Sequence, residues 1–270
     1  MELHLPTLLL CCTAAVGLAA LAMSLNDVGE RHGRGRGAWL AAQWGLTAAL
    51  ALAPLRDSVP GLTALVNLLM LQWPVAVLAG MRRFEARVGL PATPRVDLML
   101  LAGAGVASTA ALLIEGGVFA LVVFSLADCA LHLYAAAVLL SGRDDAEERG
   151  ATRAPGWLLA GLAAGLLARL MFTLDSLGPH LPDSVRAHGL THALGALALA
   201  FLVTQVMNDR RTRELRESRR RLKILANIDM LTRVPNRRHF LELARRVVER
   251  DAPGSASVLM FDIDHFKRIN

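Results

Sequence analysis

The sequence predicts an α-helical membrane bundle of about seven transmembrane helices, followed by a linker helix and a short soluble segment. Three observations predict it. Of the 270 residues, 54% are hydrophobic, and the mean hydropathy is +0.43. The apolar residues gather in runs of about 20, the length a helix needs to cross a bilayer. The charges gather between those runs and after residue 206. This divides the chain into a bundle over 1–207, a linker over 208–228 and a soluble segment over 229–270.

The first run is Leu5 to Leu25. No Lys or Arg precedes it, so it reads as a retained span and not as a signal peptide. Further runs follow at Ala38–Leu55, Gly61–Met81, Val96–Ile114, Gly117–Leu140, Trp157–Leu174 and Val185–Met207. Small residues recur within them, which suits close helix approach in lipid. Cys11, Cys12 and Cys129 lie inside the runs without metal-ligand or disulfide spacing. They are expected to pack as small apolar residues, and Met70 and Met171 to fill the core.

The loops carry the orientation signal. Arg31, Arg34, Arg36, Arg82, Arg83, Arg87, Arg95, Arg143, Arg149 and Arg153 occupy alternate loops, against Arg56 and Arg186 in the others. Ten against two places the N-terminus outside and the segment after the seventh span in the cytoplasm. Basic charge in a chain of this kind is a topology signal first, so no nucleic-acid partner is implied.

Ionisable residues inside spans are costly and invite a functional reading. Asp128 and His132 stand one turn apart in the fifth run, His188 and His192 in the seventh, and Arg169 in the sixth. Such pairs suit an interhelical hydrogen-bond network, a metal or ligand site, or a proton sensor. No obvious repeat relates the spans, which disfavours a transporter.

Residues 208–228, NDRRTRELRESRRRLKILANI, hold neither Pro nor Gly, so a helix can continue from the last span. Leu215, Leu222 and Leu225 fit a weak heptad stripe, and Arg210–Glu214 and Glu217–Arg221 are i,i+4 charge pairs. The segment reads as a short dimeric coiled coil or as a solvated helix against anionic lipid.

Beyond it, Arg237 to Arg250 has helical apolar spacing, Pro253-Gly254 is a turn, and Val258 to Ile263 reads as a buried strand. That strand runs into FDIDHFKRIN, residues 261–270. A carboxylate at a strand end, here Asp262, suits Mg²⁺, which takes one or two protein carboxylates and completes its shell with phosphate and water. Lys267 adds a point charge for phosphate.

The pattern D-x-L-T-x-x-x-N-R-R at 229–238, followed by F-D-I-D-x-F-K-x-x-N at 261–270, resembles the opening of a GGDEF domain. That family comprises the diguanylate cyclases, which condense two GTP into cyclic di-GMP on an α+β, nucleotidyl-cyclase-like fold. The resemblance implies a magnesium (or manganese) ion on the Asp262 carboxylate and the Ile263 carbonyl. It implies triphosphate contacts from the His265 and Phe266 backbone N–H groups and the Lys267 ammonium, and guanine recognition by Asn270. Asp264 belongs to the motif as a direct or indirect support. Asp229, Thr232, Asn236 and Arg237 are implied to fix the opening turn and couple the linker to the domain.

The implied protein is a homodimeric enzyme in a bacterial inner membrane with GTP as substrate. Alternatives are a degenerate receptor that binds GTP or cyclic di-GMP, and a bifunctional cyclase and phosphodiesterase. The 270 residues contain no Gly-Gly-Asp/Glu-Glu-Phe sequence. They read as ending inside the domain and are expected to be inactive alone.

Overall fold

The structure is a computed structural model. It describes residues 5–25, 35–56, 58–59, 61–84, 90–115, 117–142, 149–175, 181–229, 232–250, 257 and 259–261. Within the helices it does not describe the side chains of 5–6, 149–152, 175, 181–189, 206–207, 209–211 and 213–214. Nearly all described residues are helical. The helices are α1 Leu5–Leu25, α2 Arg36–Leu52, α3 Leu62–Phe84, α4 Pro94–Ile114, α5 Gly117–Leu140, α6 Arg149–Asp175, α7 Leu181–Asn227 and α8 Arg237–Arg250. The chain divides into two compact units, Met1–Met207 and Asn208–Asn270.

In the first unit six helices are long and apolar enough to cross a membrane, all from α1 to α6. The predicted seventh span falls within α7. Its apolar described part is Leu190–Gln205, and the flanks that would lengthen it have side chains outside the described residues. Among the described residues six spans therefore qualify, one fewer than the sequence count.

Burial follows the logic of lipid. Leu10, Met99, Leu113 and Phe172 are at least 70% exposed, while Gln43, Asp128 and His132 are at most 1% exposed. Apolar side chains outside and polar ones inside is the arrangement a hydrocarbon solvent favours. Met70 is buried as expected, but Met171 faces outward. Helical phase places it beside exposed Phe172, on a side where lipid satisfies an apolar chain as well as a core does. Cys129 is buried, with its thiol donating to the Ala163 carbonyl at 3.5 Å. Cys12 is half-buried, whereas Cys11 is exposed on α1.

The helices are laced by polar contacts. Arg36 donates to the carbonyls of Met23 and, at 3.1 Å, of Ser24, joining α2 to α1. The Trp39 indole donates to the Val77 carbonyl at 3.2 Å, joining α2 to α3. Only glycine fits beneath that ring, because a Cβ on Gly80 would collide with it. Arg82 grips Asp97 in two hydrogen bonds of 2.9 and 3.2 Å, and Tyr134 donates to the same carboxylate at 2.6 Å. One acidic side chain thus joins α3, α4 and α5. Such a fork holds geometry as well as charge. Gln43 donates to the Ala196 carbonyl at 2.8 Å, joining α2 to α7.

The second unit contains the end of α7, a turn and α8. The Glu217–Arg221 pair forms at 2.6 Å on the surface; side chains of the Arg210–Glu214 pair lie outside the described residues. Among 259–261 the expected strand is not formed, and Leu259, Met260 and Phe261 are exposed. A strand exists only by pairing, and the backbone pairing described in this unit outside its helices is the isolated bridge Ile228–Pro235.

Candidate functional site

The turn between α7 and α8 is built by four polar side chains. Asp229 Oδ1 accepts from the Thr232 N–H at 2.9 Å and the Thr232 hydroxyl at 3.0 Å. The backbone closes around it, Arg233 N–H to the Asp229 carbonyl and Asp229 N–H to the Val234 carbonyl. Arg233 takes the left-handed conformation at φ 58°, which an L-residue adopts at a cost of about 1–2 kcal/mol. The surrounding hydrogen bonds hold it there.

Asn236 then serves two helices. Its Oδ1 accepts from the His239 N–H at 3.0 Å, capping α8. Its Nδ2 donates to the Ala226 carbonyl at 2.7 Å, satisfying the end of α7, and Arg238 donates to the same carbonyl at 3.0 Å. The last carbonyls of a helix lack intrahelical partners, so this turn supplies them. Sequence reasoning named Asp229, Thr232 and Asn236. It named Arg237 where Arg238 makes the described contact. Adjacent arginines give no sequence signal for which one turns back.

Asp262, Ile263, Asp264, His265, Phe266, Lys267 and Asn270 lie outside the described residues. α8, which precedes them, exposes Phe240, Leu241, Val247 and Val248.

A second constellation sits inside the bundle. Asp128 and His132 of α5 meet His192 of α7, all at most 1% exposed. His132 Nδ1 lies 2.9 Å from the Asp128 carbonyl and 3.3 Å from Asp128 Oδ1. His192 Nε2 lies 3.1 Å from Asp128 Oδ2. The Trp73 ring of α3 stacks on His132 at 5.7 Å and meets His192 edge-on at 6.5 Å. Arg169 of α6 donates to the Ser125 hydroxyl at 2.9 Å, one turn before Asp128. The sequence marked the two α5 residues, His192 and Arg169. Their convergence and the part of Trp73 required the packing. His188 lies in α7, and its side chain is outside the described residues.

Residues 226–270 match the family Diguanylate cyclase, GGDEF domain. No match was found among curated proteins or among solved structures. That match covers 45 of the 270 residues and is a similarity to a family of nucleotidyltransferase type, in a chain with six helices fit to cross a membrane among the described residues.

Proposed function

We propose that this protein is a membrane-embedded sensor whose cytoplasmic GGDEF domain condenses two GTP into cyclic di-GMP. The observation that carries the reading is the match over 226–270, which contains both motifs in order and spacing. Asp262 is the catalytic metal-holding carboxylate. Its hard oxygen donor and the Ile263 carbonyl fit a magnesium or manganese ion, which when bound neutralises charge on the triphosphate. His265 and Phe266 present backbone N–H groups to the phosphates, Lys267 adds its ammonium, and Asn270 reads the guanine edge. The chemistry is attack of a 3′-hydroxyl on an α-phosphate, so positioning and charge stabilisation are the protein's main contributions.

A cyclic product from two nucleotides requires two domains face to face. The exposed stripe of Leu215, Leu222 and Leu225 supports a parallel pairing of linker helices. The arginine asymmetry supports seven spans with the N-terminus outside and the catalytic segment in the cytoplasm of a bacterial inner membrane. The 270 residues contain no Gly-Gly-Asp/Glu-Glu-Phe sequence, so turnover is assigned to a chain that carries that sequence as well. Mass spectrometry of cells expressing this bundle and linker with a complete GGDEF domain should find raised cyclic di-GMP, lost on Asp262→Ala. An unchanged level in both would favour a receptor that binds nucleotide without chemistry.

A further inference from the structure

We infer that Asp128, His132 and His192 form an intramembrane site for one borderline divalent transition ion of the Zn²⁺ type. One ligand atom from each lies within 4.8 Å of the others, and all three side chains are buried. The set of two imidazoles and one carboxylate is a donor combination that zinc and its first-row neighbours take. It offers too few oxygens for Mg²⁺ or Ca²⁺, so the site is distinct in kind from the nucleotide-bound metal of the cyclase.

The distances point the same way. A charge-assisted N–H···O⁻ bond is about 2.7–2.9 Å long. The two imidazole–carboxylate separations are 3.3 and 3.1 Å. Each is close to the edge, about 3.3 Å, of a tetrahedron whose metal–ligand bonds are about 2.0–2.1 Å, one measured to Oδ1 and the other to Oδ2 of Asp128. With one ligand atom of each residue within 4.8 Å of the others, side-chain rotation brings the three to a single ion.

The surroundings suit an ion with one further ligand. The Trp73 indole packs on both imidazoles, is fully buried, and has no hydrogen-bond acceptor for its N–H among the described residues. A water, hydroxide or small anion on the ion supplies such an acceptor. Arg169, electrostatically coupled to Asp128, adds a positive charge nearby. The site should consequently select ions that bind imidazole strongly over those that rely on charge alone.

The test uses the full chain in lipid nanodiscs after chelator treatment. Titration with Co²⁺, and competition by Zn²⁺, should give visible absorption bands at one ion per chain. Asp128→Asn and His192→Ala should each weaken binding by at least about tenfold, with Mg²⁺ at excess causing no change. Zn²⁺ X-ray absorption of the wild-type chain should show two imidazole ligands and nitrogen or oxygen for the rest, and it decides the matter if a variant fails to fold. Absence of stoichiometric binding, a spectrum without two imidazoles, or binding unchanged in folded variants would overturn the site and leave the cluster as a hydrogen-bonded clamp.

Discussion

His192 Nε2 lies 3.1 Å from Asp128 Oδ2, and this contact joins α7 to α5 in the interior of the bundle. Polar contacts between membrane helices average only about 0.6 kcal/mol, with an upper range near 1.7. In chelator-treated protein, a double-mutant cycle of Asp128→Asn and His192→Ala should therefore give a coupling of about 1 kcal/mol in thermal unfolding. Additive effects within about 0.3–0.5 kcal/mol would mean that the two side chains do not act on each other.

Gly80 sits beneath Trp39, whose indole bonds the Val77 carbonyl on the same helix. Gly80→Ala must displace a fully buried ring, and overpacking of this kind costs about 1–3 kcal/mol. The variant should unfold at lower temperature, with lost protection of Trp39 from collisional quenching. A compensating Trp39→Phe should recover part of the loss, because the smaller ring leaves room for the methyl group.

Asn236 caps α8 and also serves the last turn of α7. Asn236→Ala should cost about 1 kcal/mol from the lost cap. Hydrogen exchange should quicken at His239 and along the first turn of α8. Asn236→Asp keeps the accepting oxygen but loses the donor to Ala226. It should preserve protection of α8 while its contact with the end of α7 is lost.

Leu215, Leu222 and Leu225 expose about half or more of their surface in the single chain. Leu222→Asp with Leu225→Asp should sharply reduce crosslinking between chains through cysteines placed in the linker. Unchanged crosslinking would assign any dimer to the membrane bundle.

Much of the fold was legible because lipid imposes a simple rule on length and polarity. α1, α5 and α8 begin and end where the apolar pattern does. α6 was read from the apolar run that starts at Trp157, yet it begins at Arg149 with Pro155 inside it. Helices near membranes accept proline where other groups serve the freed carbonyl. Met171 was misplaced because an apolar residue satisfies either lipid or core, and a uniformly apolar helix has no periodicity to decide. The Asp128–His132 pair was visible as an i,i+4 spacing. Its meeting with His192 and Trp73 was not, because span order in sequence does not fix which helices touch. Asp262 and Lys267 were read from a carboxylate at a strand end and a point charge for phosphate, and Ile263, His265, Phe266 and Asn270 from the motif alone.

The central claim is that Asp262 holds the metal on which cyclic di-GMP synthesis depends. Membranes containing this bundle and linker with a complete GGDEF domain, supplied with GTP and Mg²⁺, should form cyclic di-GMP. Asp262→Ala should abolish formation, Lys267→Ala should raise the GTP requirement less severely, and Asn270→Ala should relax the preference for GTP over ATP. Full cyclic di-GMP formation by the Asp262→Ala protein would contradict the account.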